Sequence, residues 1–406
     1  MTKALYFSTP LENRINPTIG LVTELVKQGH QIVYFTGKSF RKQIEHTGAE
    51  FRPIPKETED LLQSIIADPS FQELQKTGFT EDILDKIMTM FQLQESITDF
   101  ILKDIKDEQY DYVLHDAQGL PGKLIANTLN LPTISTWTTF APSDKAPIQN
   151  NNQKKTSIFA LLKETAPIRK HLEQKYKVNL HENLMLCYGD MNICFTSKTF
   201  QKNAEKLADQ FVFVGPSIAD RFDETEFPFD QIRDQRVVLM SMGSILQNQP
   251  ELYQIAFEAL KDIEAKVVVS IGKNLSFNQL KKAPKNFIIQ DYVPQLEILQ
   301  YADVFITHSG LNSVSESLYF EVPLVMIPIR ADQPAVAKRI EELGAGIRLD
   351  VNKISPQQLK EAVLDVLYNP IYKENGKIIS QSFKTAGGYV KAAESIIQFV
   401  NRKQKD

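Results

Sequence analysis

A histidine, a serine and a glycine stand side by side at positions 308–310, directly after the apolar run Val304 to Thr307. Helical character begins again at Asn312. A strand that ends in a small-residue turn and opens into a helix can bind anions, because free backbone N–H groups and the positive end of the helix dipole point at the turn. The side chain of His308 can donate a further hydrogen bond there. The spacing therefore predicts a phosphate-binding turn.

Two residues in the first half of the chain could also take part in chemistry. Asp116 follows the apolar strand Tyr112 to His115, and Arg14 lies in the polar stretch after the first strand, residues 3–8. In open parallel sheets, ligands bind at the carboxyl edge of the strands. At that edge a carboxylate can take a proton from a hydroxyl group, whereas an arginine stays protonated and cannot.

Alternating strands and helices must position these residues. The first strand is followed by a helix that is predicted to begin at Pro17 and to end at Gly29, and residues 31–35 form the next strand. The polar loop between them, residues 9–16, has no GxGxxG and is not a dinucleotide fingerprint. Strands restart at residues 237–241 and alternate with helices again. We expect an α/β protein of two doubly wound Rossmann-like domains that face each other across a cleft.

Length, composition and charge limit the function further. A chain of 406 residues is too long for one ordinary core, and 42% hydrophobic with 24% charged residues is typical of a soluble globular protein. The net charge of −4 argues against nucleic acid as a partner. No apolar run approaches the roughly 18 residues that span a bilayer. The N-terminus turns polar too soon for a signal peptide, so we expect a cytoplasmic protein, as a monomer or weak homodimer.

Residues 291–347 resemble the donor-binding signature of family 1 glycosyltransferases, which include bacterial macrolide and flavonoid glycosyltransferases. The matching pieces are DYVPQ at 291–295, THSG at 307–310, Glu316, PLVMIP at 323–328 and ADQP at 331–334. The resemblance implies the glycosyltransferase B fold. Its parts would be an N-terminal acceptor-binding domain (1–216), a linker (217–236), a C-terminal nucleotide-sugar-binding domain (237–385) and a last helix (386–406) that packs back on the N-terminal domain.

The resemblance also implies roles for individual residues on the donor side. Six residues would hold the diphosphate: Ser244, which directly follows Gly243, and His308, Ser309, Gly310, Asn312 and Ser313. Val293 and Gln295 would bracket the base, Glu316 would bind the ribose hydroxyls, and Asp332 and Gln333 would bind the hexose hydroxyls. Because amide dipoles and a histidine can stabilise the leaving diphosphate, neither a metal nor a cofactor is expected beyond the UDP-sugar or dTDP-sugar co-substrate.

The chain departs from the family pattern at the acceptor side. The family usually places a histidine base two residues before the Asn of an NP pair, and here that position is Arg14. Losing a positioned base typically costs about 10²–10⁴ in rate. Asp116 could take the proton itself, His115 or Glu12 could substitute, or transfer could be lost. An ion pair between Arg14 and Asp116 is expected, and it would weaken the carboxylate as a base.

The sequence thus predicts an inverting, metal-independent glycosyltransferase that moves a hexose, glucose as first candidate, from a UDP-sugar to a small lipophilic acceptor. The catalytic residues would be Asp116 and Arg14. The acceptor pocket would be lined by four apolar residues, Met88, Phe91, Trp137 and Phe140. The alternative is a catalytically silent sugar-nucleotide-binding homologue that acts as a helper or regulatory protein. The choice between UDP and dTDP stays open at this point.

Overall fold

The computed structural model describes residues 1–68, 70, 80–142, 152–180, 186–221, 225–243, 250–272, 275, 278, 280 and 282–404. The chain divides into two compact units. Unit 1 contains Met1–Ser197, Gln201–Phe222 and Ala386–Asp406, and unit 2 contains Lys198–Phe200 and Asp223–Thr385. The domain boundaries inferred from the sequence remain a prediction.

Unit 1 is built on a seven-stranded parallel sheet in the order β3-β2-β1-β4-β5-β6-β7. Its strands are largely apolar and buried, as expected for a parallel sheet that is covered on both faces. The strands are β1 (Lys3–Phe7), β2 (Gln31–Thr36), β3 (Glu50–Pro53), β4 (Tyr112–Asp116), β5 (Thr133–Trp137), β6 (Met191–Cys194) and β7 (Phe211–Phe213). The helices before β6 are α1 (Glu12–Lys27), α2 (Arg41–His46), α3 (Lys56–Ala67), α4 (Glu81–Asp104), α5 (Leu120–Thr128) and α6 (Asn152–Tyr176).

Helix α1 begins five residues earlier than the sequence suggested. The carbonyl of Leu11 accepts from the N–H groups of Arg14 and Ile15, at 2.9 and 3.1 Å, so the predicted loop is already helical. Pro17 lies inside the helix, where it lacks the N–H that would bond to the carbonyl four residues before it. Burial of Ile15 in the core offsets that loss. The prediction that the helix starts at Pro17 is therefore wrong, and Arg14 lies in the first helical turn.

Unit 2 is built on a six-stranded parallel sheet in the order β10-β9-β8-β11-β12-β13. The strands are β8 (Val237–Ser241), β9 (Lys266–Ser270), β10 (Phe287–Gln290), β11 (Val304–Thr307), β12 (Leu324–Met326) and β13 (Gly346–Arg348). The helices are α7 (Pro250–Leu260), α8 (Gln295–Leu299), α9 (Leu311–Tyr319), α10 (Gln333–Glu342), α11 (Pro356–Tyr368) and α12 (Pro370–Thr385). The expected pair of doubly wound Rossmann-like sheets is confirmed.

Each sheet reverses its strand order at one place. In unit 1 the reversal lies between β1 and β4, and in unit 2 it lies between β8 and β11. The loops that leave the carboxyl ends of two such strands run in opposite directions and open a crevice, which is where open α/β sheets bind ligands. Asp116 ends β4, and the 308–310 turn follows β11. Both sets of candidate residues thus lie at the reversal points of their own sheets.

The last helix, α13 (Gly388–Lys403), belongs to unit 1 and packs on α1. Its side chains Ala392, Ala393 and Ile396 are fully buried, and the N–H of Gly388 donates to the carbonyl of Val214 at 2.6 Å. No helix in the described part of the chain is long and apolar enough to span a membrane.

The close contact between α1 and α13 leads to a stability prediction. A Cβ added at Gly20 would lie 2.7 Å from Ala219 Cβ and 2.7 Å from the Tyr389 ring. We expect Gly20→Ala to lower the free energy of unfolding by about 1–3 kcal/mol, because overpacking outweighs the gain in helix propensity. Urea unfolding followed by circular dichroism measures this change.

The control for that measurement is Gly376→Ala in α12, where the added Cβ would meet only Leu318 Cδ2, at 3.8 Å. That variant should be as stable as the wild type or more stable by about 0.5–1 kcal/mol. Equal stability of the two variants would contradict the proposed tight packing at Gly20.

Candidate functional site

The imidazole of His308 is enclosed by two glycines at the reversal point of the second sheet. Gly243 follows β8 with a φ of 76°, and Gly310 precedes α9. A Cβ at Gly243 would lie 2.7 Å from His308 Cε1, and a Cβ at Gly310 would lie 2.7 Å from His308 Nε2. Only glycine at both positions lets the two backbone segments approach the ring this closely. The structure therefore brings these three predicted donor-side residues together.

The surroundings of His308 keep its ring neutral at pH 7. Burial lowers the pKa of His308 to about 4, and the nearby Arg330 guanidinium lowers it as well. A hydrogen bond to the backbone of Ser241 acts in the opposite direction. The neutral ring has one N–H, and the bond to Ser241 occupies it, so the other nitrogen carries a lone pair.

The turn after His308 has the geometry of an anion site. Ser309 has a φ of 71°, in the left-handed region, and its N–H faces Thr307 Oγ1 at 3.3 Å. Its buried Oγ has no hydrogen-bond partner in the part of the chain that the structure describes. The N-cap residue of α9 is Gly310, which has no side chain to bond the N–H groups of the first turn. A helix N-terminus of this kind attracts negative charge.

Two more of the predicted donor-side residues contact each other. Gln295 Nε2 donates to Glu316 Oε2 at 2.6 Å, and Glu316 is only 4% exposed. Val293 is buried just before α8. These contacts place a carboxylate and a carboxamide side by side near the carboxyl edge of the second sheet.

The other predicted donor-side residues are less directly placed. Gln333 Oε1 accepts from the N–H groups of Ile329 and Arg330, both at 2.9 Å, so it holds the loop after β12. Asp332, Asn312 and Ser313 are partly exposed, and Ser244 lies outside the described residues. Their assignment to sugar and phosphate contacts remains a prediction.

Arg330 is a candidate that the sequence reasoning missed. Burial lowers the pKa of Arg330 to about 10, and its charge is close enough to lower the pKa of His308. The available signal was an arginine directly before the ADQP motif, on a loop that leaves the same sheet edge. A cation there favours a negatively charged ligand at the turn.

In unit 1, Asp116 is fully buried and connects two loops. Its Oδ2 accepts from the N–H of Thr9 at 2.6 Å, and its Oδ1 accepts from the N–H of Gln118 at 2.8 Å. These bonds join the loop after β1 to the loop after β4, across the reversal point of the first sheet. Each carboxylate oxygen retains a second lone pair.

Arg14 does not pair with Asp116, so the expected ion pair is wrong. One guanidinium amino group donates to Thr138 Oγ1, and the other donates to Gln118 Oε1 at 2.6 Å. The carboxylate of Asp116 is instead bonded to the backbone N–H groups of Thr9 and Gln118. Arg14 nevertheless lies close to Asp116, because Gln118 bonds to both.

The alternative that His115 acts as the base finds no support in its geometry. Its Nδ1 lies 2.9 Å from the Asp116 carbonyl, and its Nε2 lies 3.1 Å from Thr133 Oγ1. The residue is fully buried, and burial lowers its pKa to about 4. Both ring nitrogens thus have partners inside the protein.

The four residues predicted to line an acceptor pocket divide into two groups. Met88 and Phe140 are partly buried. Phe91 is 1% exposed and Trp137 is 0% exposed. The Trp137 indole N–H donates to Asn192 Oδ1 at 3.1 Å. Phe91 and Trp137 therefore pack in the core and present no surface to a ligand in this structure. Contact of the four residues with an acceptor remains a prediction.

Comparison with known proteins adds to this geometry. A family model described as "UDP-glucoronosyl and UDP-glucosyl transferase" matches residues 223–386. The uncharacterized UDP-glucosyltransferase YojK of Bacillus subtilis is 38% identical, over 99% of this chain and 98% of that protein. The uncharacterized UDP-glucosyltransferase YdhE of the same organism is 32% identical over the full length of both chains. The solved structure of CalG4, the calicheamicin glycosyltransferase, superposes with a TM-score of 0.80 and 24% identity, covering 99% of both chains.

The two parallel Rossmann-like sheets and the structural neighbours show the glycosyltransferase B fold. The chain belongs to the UDP-glucosyltransferase family within the family 1 glycosyltransferases. Among the described residues, no three His, Cys, Asp or Glu side chains are arranged to hold a metal ion.

The environment of His308 predicts the pH at which its ring takes up a proton. Because the folded-state pKa is below the ordinary value of 6.5, the ring should stay neutral from pH 8 to pH 5.5 and titrate near pH 4. The unfolded chain binds the proton first, so the stability that the neutral ring contributes is lost as the pH falls from about 6.5 toward 4. NMR of histidine-labelled protein measures the midpoint. A midpoint near 6.5 would show that the ring is not enclosed as described.

Proposed function

We propose that this protein is an inverting, metal-independent glycosyltransferase. It moves a hexose, with glucose as the first candidate, from a UDP-sugar to a small lipophilic acceptor. The observation that carries the proposal is the His308 ring between Gly243 and Gly310, at the strand-to-helix turn where the second sheet reverses. The family description and the names of the relatives support UDP-glucose as the donor.

In this proposal the diphosphate lies on the turn that Ser309 and Gly310 form. The N–H groups of the first turn of α9 point at it, and the Ser309 hydroxyl donates to it. Arg330 supplies a positive charge nearby. A diphosphate beside His308 would raise the pKa of the ring, so binding would bring a proton that the second ring nitrogen shares with the ligand.

The remaining donor contacts follow from the neighbours of the turn. Glu316 would accept hydrogen bonds from the ribose hydroxyls in place of Gln295, its partner in this structure. Val293 and Gln295 would flank the base. Asp332 would bind the hexose hydroxyls, with Gln333 holding its loop. Ser244, outside the described residues, would add a further phosphate contact.

The reaction needs an acceptor oxygen to attack C1 of the hexose while the bond from C1 to the diphosphate oxygen breaks. Negative charge grows on the diphosphate as the sugar leaves it, and the sugar becomes positive. Preorganised donors at the turn stabilise that charge, and removing one such donor typically costs about 10²–10³ in rate. This stabilisation is the task that a metal ion performs in other enzymes.

On the acceptor side, Asp116 would accept the proton of a hydroxyl acceptor. Each of its oxygens has one lone pair beyond the bonds to Thr9 and Gln118. The same bonds position the two loops at the end of the first sheet, so Asp116 would have a chemical and a positioning role. The lipophilic acceptor is supported by the calicheamicin glycosyltransferase among the structural neighbours.

The proposed donor site predicts that one methyl group added at Gly310 weakens the binding of UDP. Gly310→Ala places a Cβ 2.7 Å from His308 Nε2 and must displace the ring. We expect the Kd for UDP, measured by isothermal titration calorimetry, to rise at least tenfold. Gly376→Ala, in the same unit but free of such contact, should bind UDP like the wild type. Unchanged UDP binding by folded Gly310→Ala would remove His308 from the donor site, and no binding of UDP or dTDP by the wild type would contradict the proposal itself.

The role of Asp116 is tested with Asp116→Asn. The new amide group must face either the Thr9 or the Gln118 N–H, so the variant should lose about 1–3 kcal/mol of stability. If Asp116 is also the base, kcat for a hydroxyl acceptor should fall about 10²–10⁴-fold at a temperature where the variant is fully folded. Full activity of the folded variant would show that Asp116 takes no proton. UDP binding without transfer by the wild type would favour the silent sugar-nucleotide-binding homologue.

A further inference from the structure

We propose that the acceptor of this protein is a carboxylate, held by Arg14, and that the product is a glycosyl ester. The proposal rests on the proposed transferase function and adds the chemical class of the acceptor. Its starting point is a buried guanidinium at the reversal point of the first sheet that has only neutral partners.

The contacts of Arg14 are unusual for a buried arginine. The residue is 8% exposed, and its two amino groups bond to a hydroxyl, that of Thr138, and to a carboxamide, that of Gln118. Its Nε is buried and has no hydrogen-bond partner within the described residues. None of the ion pairs in that part of the chain includes Arg14, and Asp116 is bonded to the backbone N–H groups of Thr9 and Gln118.

A buried cation that forms no direct ion pair is electrostatically unfavourable, even with the Asp116 carboxylate nearby. Burying a charge is costly unless it is paired, and neutral hydrogen bonds compensate only partly. Arg14 also lies in the first turn of α1, where the helix dipole is positive and disfavours a second positive charge. An anionic ligand at this place would relieve both effects. The planar guanidinium matches a carboxylate, with which it can form two parallel hydrogen bonds.

The structure also shows how a ligand could reach the guanidinium. Gln118 is exposed, whereas Thr138 is buried. The Gln118 side chain can therefore turn away and leave one edge of the guanidinium to the ligand. Thr138 would keep the other amino group fixed, so that Arg14 holds the carboxylate in one orientation.

A carboxylate acceptor removes the need for the base that this chain lacks. A hydroxyl acceptor must release a proton, whereas a carboxylic acid with a pKa of about 4 is already ionised at pH 7. One carboxylate oxygen attacks C1, the bond from C1 to the diphosphate oxygen breaks, and the electron pair leaves with UDP. The acceptor charge moves to the leaving diphosphate, and no proton is released. Asp116 then acts only as a positioning residue in this reaction.

The test uses 4-hydroxybenzoate, which offers a carboxylate and a phenol in one molecule, with UDP-glucose as donor. Hydroxylamine cleaves the ester and leaves the phenolic glucoside intact, so mass spectrometry before and after treatment measures the product ratio. We expect the wild type to form the ester in at least tenfold excess. Its kcat/KM should be constant between pH 6 and 8, since no acceptor or base titrates there.

Three variants of Arg14 test separately the charge of the side chain, its planar shape and the lack of a base at this position. Arg14→Gln should lower ester formation at least 100-fold, and Arg14→Lys, which keeps the charge but loses the planar group, should lower it about tenfold. Arg14→His should raise formation of the phenolic glucoside at the expense of the ester. The control is Arg41→Gln, which removes an exposed arginine of the same unit and should leave the ratio unchanged.

Every outcome decides between the two claims. A wild type that makes only the phenolic glucoside, or a product ratio that is unchanged in folded Arg14→Gln, overturns the carboxylate proposal and leaves the transferase proposal standing. A wild type that neither binds UDP in calorimetry nor transfers to either group overturns the transferase proposal. If Arg14→Gln fails to fold, the wild-type product ratio and the Arg14→Lys variant still decide.

Discussion

The backbones of Gly243 and Gly310 lie so close to the His308 ring that a Cβ at either position would clash with it, and this packing sets the geometry of the proposed donor-side site. This approach requires β8 and β11 to end beside each other, although many residues separate them in the sequence. The reversal of strand order between these two strands makes them neighbours. The position of the helix α9, the left-handed Ser309 and the proposed site for negative charge all depend on that one packing arrangement.

The first sheet uses the same topology with a different connector. At the reversal point of the first sheet lies the carboxylate of Asp116, where the second sheet has the imidazole of His308. This carboxylate accepts hydrogen bonds from the backbone of the loop after β1 and from the backbone of the loop after β4. Arg14 donates to Thr138 and Gln118 and not to this carboxylate. The position at which the family pattern would place a histidine base thus carries a positive charge, which is the basis of the proposed carboxylate acceptor.

Much of this could be predicted from the sequence, because local patterns determine it. The apolar strand before His308, the small residues after it and the helical spacing that follows predicted the strand, the turn and the helix. Contacts between distant segments could not be predicted in the same way. The partners of Arg14 come from the loops after β4 and β5, the enclosure of Trp137 depends on β6, and the influence of Arg330 on His308 depends on two neighbouring strands. Pro17 misled the prediction of α1, since core burial of Ile15 outweighs the preference of proline for the first turn.

The most direct test is the response of His308 and His115 to UDP, followed by NMR of histidine-labelled protein. His308 lies at the proposed diphosphate site and is partly exposed, whereas His115 is fully buried and bonded within unit 1. We expect saturating UDP to shift the ring signals of His308 and to raise its pKa from about 4, while the signals and pKa of His115 stay unchanged. An unchanged His308 in UDP-saturated protein would contradict the assignment of the diphosphate to the turn between Gly243 and Gly310.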